Sequence, residues 1–430
     1  MIGIAMFLVA LLLLAAGFLV AFTFGGVAVL FGLYAEGLRI FSLVDERIYA
    51  IMTNVTLMAV PLFVYMGYVL ERSGIAERML EAMGSLFGRV RGGLAVSTVL
   101  VGMVLAASTG VVGASVVAMG LIALPVMLKY RYDKCLASGV ICASGTLGQI
   151  IPPSIILIIL GDVLQIPVGD LFRAAVLPGL LLVVLYILYV LGIALVRPAI
   201  APAMPTSGAA KRIQYVRAAK ALLPALVLMV LVLGSIFAGI ATPTESAAVG
   251  AVGAMVLALA EGKFRLRHAW GAALETTKLT AMVFTILVGA TLFSLVFTYT
   301  GGDRVIEELA EGLPGNEWGF LLLAMLAIFL LGFFIDFVEI AYIFVPMIAP
   351  LLPKLGIDPL WFAILVAVNL QTSFLTPPFG FSLFYLRGVA PAGVTTRDIY
   401  RGVIPFIGLQ LLALALLMLF PSLLLLRPAQ

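Results

Sequence analysis

Two proline pairs, Pro152-Pro153 and Pro377-Pro378, interrupt long apolar runs, and two carboxylates, Asp336 and Glu339, stand three residues apart inside another. Proline carries no N–H, so each pair removes donors from a helix and frees carbonyl oxygens, which are ligands for hard cations. The first pair follows Ser144-Gly145-Thr146-Leu147-Gly148-Gln149-Ile150-Ile151 and precedes Ser154, with two glycines that loosen the helix further. The second lies within Gln371-Thr372-Ser373-Phe374-Leu375-Thr376-Pro377-Pro378-Phe379-Gly380, which adds three hydroxyls. A kink alone would explain one such pair; recurrence opposite a polar break in another apolar run points to ion binding. A carboxylate in lipid costs at least ~2.5–3.5 kcal/mol on insertion scales unless it is paired, protonated or hydrated. Asp336 and Glu339 therefore read as functional, in ion balance, gating or solute contact, the alternative being an ion pair with an arginine of another segment. Thr109, Ser144 and Ser154 are the hydroxyls that would join them around a solute.

These residues must be held at bilayer depth, and the chain supplies the same set of elements twice. Asp133, an apolar run, Pro152-Pro153, Asp170-Leu171-Phe172-Arg173 and Pro178 are matched by Asp358, a similar run, Pro377-Pro378, Asp398-Ile399-Tyr400-Arg401 and Pro405. Apolar stretches cover 2–33, then 50–70, 93–128, 135–165, 174–196, 220–240, 244–260, 279–299, 318–352, 359–386 and 402–426. A crossing needs ~20 residues. The stretches 93–128 and 318–352 are longer, and small or polar residues interrupt them at Ala107-Ser108-Thr109-Gly110 and between Gly332 and Glu339. Both predict re-entrant helical hairpins, tolerable at that depth only where irregular backbone lines a buried or watery cavity. The halves, 50–197 and 277–426, share one order of span, hairpin, proline-broken span and final span. Each contributes an odd number of crossings and the connector adds two, so the halves are expected to be inverted, a carrier design.

Composition agrees. With 430 residues, 63% hydrophobic and 11% charged, and a mean hydropathy of +1.23, the chain has too little polar surface to enclose a water-soluble globule. Bases cluster at Arg72, Arg78, Arg89 and Arg91, at Lys129, Arg131 and Lys134, from Arg197 to Lys220, at Lys263, Arg265, Arg267 and Lys278, and at Arg387, Arg397 and Arg401; such loops face the cytoplasm. The first hairpin, flanked by Arg89, Arg91, Lys129 and Arg131, should open from that side. The second, flanked by Asp303, Glu307, Glu308, Glu311 and Glu317, should open from the other. The first 33 residues lack the basic start of a cleavable signal and read as retained membrane segment, one tilted helix or two split near Gly17, with the N-terminus outside. Cys135 and Cys142 predict reduced, packed thiols, and His268 a surface residue of a charged loop. Thr242-Pro243-Thr244-Glu245 matches a helix start closed by a capping box. No phosphate-binding loop, zinc-type histidine pair or nucleophile elbow occurs, so ATP-driven pumping and intramembrane hydrolysis have no residues to rest on.

Together these residues resemble the large membrane subunit, DctM-like, of tripartite ATP-independent periplasmic (TRAP) transporters. The likeness spans essentially the whole chain. It is carried by Leu124-Pro125-Val126-Met127, Gly145-Thr146-Leu147-Gly148, Ile151-Pro152-Pro153-Ser154, Thr242-Pro243-Thr244-Glu245, Pro346, Gly356-Ile357-Asp358-Pro359 and Leu375-Thr376-Pro377-Pro378. The resemblance implies an all-α, polytopic inverted repeat with two re-entrant hairpins and two Pro-Pro-broken helices, working as an elevator in the bacterial inner membrane with both termini periplasmic. It implies sodium-coupled uptake of an organic anion, completed by a small four-helix membrane subunit (DctQ-like) and a periplasmic substrate-binding protein (DctP-like), with no nucleic acid involved. A stand-alone sodium/dicarboxylate symporter of related design is the alternative. The family's pattern places one sodium at Ser108, Gly110, Gly145, Gly148, Ile151 and Pro153, and another at Gly332, Ser373, Thr376 and Phe379. The expected division is a scaffold of 1–91, 166–316 and 389–430 around a transport domain of 92–165 and 317–388. Ser373 stands where the family often has glycine, and Glu339 is an acid beyond its usual Asp.

Overall fold

The computed structural model describes residues 2–88, 90–203, 211–262, 265–315 and 317–424. Arg89, Lys263 and the stretch 204–210 of the charge pattern lie outside them, as does 425–430. Every described element is helical, and seven helical segments are long and apolar enough to cross a membrane. The opening stretch forms α1 (Ile2–Ala15) and α2 (Val20–Glu36), divided at Gly17, whose φ of +90° suits glycine.

The single span expected at 50–70 is two helices, α3 (Val44–Met52) and α4 (Ala59–Arg72). Asn54 makes the division: its Oδ1 accepts the N–H of Thr56 at 3.0 Å and of Leu57 at 3.3 Å, a local pattern that competes with helix. A short amphipathic helix, α5 (Ile75–Phe87), follows. It buries Ile75, Met79, Leu80 and Met83 and carries Glu77, Arg78 and Glu81.

The first hairpin is α6 (Gly93–Thr109) and α7 (Val112–Lys129), turning at Gly110 with φ +63°. The first broken helix is α8 (Lys134–Thr146) and α9 (Ile155–Val163), and α10 (Val168–Val196) closes this half. After α11 (Lys211–Phe237) and α12 (Pro243–Ala260) the order returns: α13 (Leu266–Tyr299), a second amphipathic helix α14 (Gly302–Glu311), then α15 (Glu317–Leu331) and α16 (Phe337–Ile348) as a second hairpin. A short α17 (Leu351–Lys354) leads to the second broken helix, α18 (Pro359–Leu375) and α19 (Phe381–Val389), and to α20 (Thr396–Leu419).

Recurrent caps set the register. The Asp133 carboxylate accepts the N–H of Cys135 and Leu136 at 2.9 and 3.0 Å, and Asp358 accepts that of Leu360 at 2.9 Å, so each broken helix starts from an aspartate. Thr242 with Glu245, and Thr395 with Asp398, form complete capping boxes. Asp170–Arg173 and Asp398–Arg401 lie in the first two turns of α10 and α20, with each aspartate in the first. His268 lies in the first turn of α13 and is half-buried, not in a loop, because α13 begins well upstream of the expected 279. Both cysteines are free, Cys142 fully buried on α8.

Contacts join elements across the expected division. α8 and α20 cross main chain against main chain: a methyl built on Gly402 would lie 2.8 Å from the Cys135 carbonyl carbon and 3.0 Å from the Gly139 nitrogen. Gln410 of α20 donates to Tyr186 of α10 at 2.8 Å, and Trp361 of α18 donates to the Leu417 carbonyl at 2.9 Å. Thus α10 and α20, expected with the scaffold, pack on the hairpins and broken helices. Gly402→Ala is expected to lower the melting temperature of the detergent-solubilised protein by several degrees, since overpacking costs ~1–3 kcal/mol; an unchanged melting curve would show that the two helices part freely.

Candidate ion and substrate site

At the first break the backbone leaves the helical pattern over 147–154. The Ile150 and Ile151 N–H groups both bond the Leu147 carbonyl, at 3.1 and 2.9 Å, and the Ser154 hydroxyl donates to the Gln149 carbonyl at 2.6 Å. Among the described residues the carbonyls of Ile151, Pro152 and Pro153 accept no backbone N–H. The hairpin turn lies directly on this segment. A methyl on Gly148 would meet the Ala106 carbonyl at 2.5 Å, and one on Gly110 would stand 3.6 Å from the Pro153 oxygen. Ser108, Gly110, Gly148 and Pro153 are therefore brought together. Gly145 is placed differently, under α7, where the Val116 Cα would stand 3.2 Å from an added methyl. The Ile151 side chain packs on Gly179 of α10.

The second break repeats the design. Thr376 ends α18, its N–H on the Ser373 carbonyl at 3.1 Å, and Gly380 closes the segment onto the Thr376 carbonyl at 3.0 Å. The Pro377 and Phe379 carbonyls accept no backbone N–H among the described residues, while Tyr400 donates to that of Pro378 at 2.9 Å. Gly332, at the turn of the second hairpin, lies against Ser373: an added methyl would stand 2.7 Å from the Ser373 Cβ. Phe379 is exposed and packs at a tilt of 39° against Phe334 of the hairpin turn, centroids 5.4 Å apart. Pro152-Pro153 and Pro377-Pro378 are both joined by cis bonds.

The hydroxyl protons at the breaks point away from them. Ser108 donates to the Leu105 carbonyl at 2.8 Å, Ser373 to that of Leu370 at 2.8 Å and Thr376 to that of Thr372 at 2.7 Å. Each oxygen keeps lone pairs for another partner, so carbonyls and hydroxyls make neutral, hard donor sets of the kind a small cation takes.

The other predicted contacts divide. Thr109 and Ser115 share a hydrogen bond of 2.7 Å at the first hairpin turn. Ser144 is fully buried in the space that Gly102 leaves on α6, bonded to the Ile141 carbonyl at 3.2 Å. Asp336 caps α16 by accepting the Phe337 N–H at 2.7 Å, which places it at the helix start with Glu339 in the first turn. Glu339 is 4% exposed, with Oε2 unpartnered among the described residues. Residue reasoning passed over the amides at the centre. Gln371 donates to Thr146 at 3.3 Å and, like Gln410, to Tyr186, joining the two broken helices. Gln149, 1% exposed, has neither amide atom partnered among the described residues. A signal existed: Gln371 stands before Pro377 as Thr146 stands before Pro152, at the same offset.

Two polar hairpin turns, each seated on a proline-broken helix, mark a transport fold, and comparison with known proteins decides whose. The family described as "Tripartite ATP-independent periplasmic transporter, DctM component" matches residues 7–423. The chain belongs to the DctM family. It is 35% identical over 354 residues to the C4-dicarboxylate TRAP transporter large permease protein DctM of Pseudomonas aeruginosa, covering 82% of each chain. It is 30% identical over 378 residues to the ectoine TRAP transporter large permease protein TeaC of Halomonas elongata, covering 88% of this chain and 87% of the relative. In fold it is similar to the YdaH transporter of Alcanivorax borkumensis, with a TM-score of 0.60 at 17% identity, over 91% of this chain and 90% of that one. This DctM-family protein is thus a TRAP transporter large permease, a multi-pass membrane protein of transmembrane transport.

Proposed function

We propose that this permease couples sodium entry to uptake of a small organic anion, as the large subunit of a tripartite system with a small four-helix membrane subunit and a periplasmic substrate-binding protein. One observation carries the reading: each hairpin turn rests on a diproline break at which several carbonyls accept no backbone N–H among the described residues. Ser108, Gly110, Gly148, Ile151 and Pro153 would hold one sodium, with Gly145 one turn before Gly148 keeping α7 close, and Gly332, Ser373, Thr376 and Phe379 would hold the other. Bound there, the ion supplies positive charge that joins hairpin to broken helix and favours an anion beside them. Thr109 and Ser154 stand at the first hairpin turn and break, and Asp336 and Glu339 follow the second hairpin turn, where they would meet the solute. The moving part comprises 92–165 and 317–388, and packing supports α10 and α20 travelling with it. The amphipathic α5 and α14 precede the two hairpins and suit arms between fixed and moving parts. With the basic loops on the cytoplasmic side, the loops that lack bases, among them the acidic flank of the second hairpin, would face the periplasm, which supports opposite orientations for the two halves.

The test is uptake into proteoliposomes holding this chain and its small-subunit partner, with and without a sodium gradient and a cognate binding protein. Uptake needing both supports the reading; uptake by this chain alone, or without sodium, overturns it. In the same assay Thr376→Ala is expected to raise the sodium concentration for half-maximal uptake about tenfold, the effect of losing ~1.4 kcal/mol of ion binding. Wild-type sodium activation in that variant would remove Thr376 from the site.

A further inference from the structure

Away from the breaks, a cavity of about 390 Å³ opens between α3, α9, α13 and α16, within the range that holds small molecules. It lies at the end of α13 that leads into the acidic α14, the face assigned above to the periplasm. Its lining is chemically uneven. Arg47 of α3 stands at the mouth, exposed and with no ion pair among the described residues. Thr291, Ser294 and Thr298 give α13 a row of hydroxyls on one wall. Tyr342 of α16 is 4% exposed yet lines the cavity, and its hydroxyl has no partner among the described residues. Pro346 has no N–H to return to the Tyr342 carbonyl, and the helix widens into a π turn over Ile340–Phe344 at this wall. Asp162 of α9 completes the lining, its Oδ1 accepting from Asn54 Nδ2 at 2.6 Å. This bond also ties the first broken helix to the segment between α3 and α4.

An exposed guanidinium at the mouth, a buried phenol without a partner and a row of hydroxyls describe a site for an anion with polar substituents. Asp162 sets the class. Arginine takes a carboxylate through paired donors, whereas a second carboxylate would meet the like charge of Asp162. Hydroxyl or ammonium groups would instead donate to Asp162 and to the α13 oxygens. We propose that this cavity is a loading site for small monocarboxylates bearing hydroxyl or ammonium groups, and that it disfavours dicarboxylates. The inference rests on the carrier reading and narrows its substrate class.

Thr298→Cys in a Cys135→Ser background provides a reporter, since the remaining Cys142 is fully buried. The full chain in membrane vesicles of native orientation is treated from outside with a membrane-impermeant, anionic thiosulfonate, with gluconate or succinate present. Gluconate is expected to slow labelling at least tenfold at concentrations where succinate slows it less than twofold. Adding Arg47→Gln should abolish the gluconate effect, and adding Tyr342→Phe should weaken it severalfold. Equal protection by succinate, no protection by gluconate, or protection that survives Arg47→Gln overturns the proposal. Labelling needs neither sodium nor net uptake, so its failure leaves the carrier reading intact, while sodium-independent uptake alongside full gluconate protection would damage that reading alone.

Discussion

Gly148→Leu is expected to reduce sodium-stimulated uptake about 10- to 100-fold while the protein still reaches the membrane. An added β-carbon at this position meets the main-chain carbonyl of Ala106 at 2.5 Å, and backbone cannot swing aside as a side chain can. The hairpin turn must lift from the broken helix, separating Ser108 and Gly110 from Pro153. Overpacking costs ~1–3 kcal/mol, and each ~1.4 kcal/mol is tenfold in an affinity, which sets the range. Uptake and its sodium dependence, normalised to membrane-inserted protein, provide the measurement. Wild-type rates in this variant would show that turn and break need not touch during transport.

The second break allows a sharper experiment because the obstacle is a side chain. Gly332→Ala is expected to lower uptake about tenfold, since its methyl collides with the Ser373 side chain, whose Cβ lies 2.7 Å away, again on the ~1.4 kcal/mol scale of a modest overpacking. Ser373→Gly removes both obstructing atoms and leaves the Ile328 carbonyl at 3.3 Å, a distance that small shifts accommodate. The double variant should therefore recover most of the maximal rate. Its half-saturating sodium concentration should remain raised, because the Ser373 hydroxyl is gone. Recovery of rate with unshifted sodium dependence would exclude Ser373 as a ligand, and no recovery at all would show that the collision is not the cause.

What could be read from residues followed what lipid punishes most. Backbone without partners is costly in a bilayer, so the breaks at Pro152-Pro153 and Pro377-Pro378 and the interruptions at Gly110 and Gly332 stood out from apolar surroundings, and the helices end there. The aspartates before each broken helix were visible as part of a duplicated pattern, although their work as caps emerged from the hydrogen bonds. Features at the membrane margin were harder to see. α5 and α14 are short and charge-rich, and read as loop flanks because their apolar residues, such as Ile75, Met79 and Met83, recur only over about three turns. Asn54 divides a continuous apolar run through one side-chain oxygen, which hydropathy ignores. The placement of Ser144 against Gly102, and of α10 and α20 on the hairpins, depends on contacts between distant segments that spacing within a segment does not encode.

The amide and phenol groups at the centre bear on how the protein is made. Tyr186 and Thr146 belong to the first half, whereas Gln371 and Gln410, which bond them, arrive with the second. During synthesis the earlier segments enter the bilayer before those partners exist, and unpaired polar groups in hydrocarbon are disfavoured. The nascent first half is thus an incomplete product that depends on the insertion machinery until translation nears its end. A chain truncated before α18 would leave the Tyr186 hydroxyl without its amide partners, whereas Thr146 would keep its bond to the Ala143 carbonyl, and would be a natural target for membrane proteolysis.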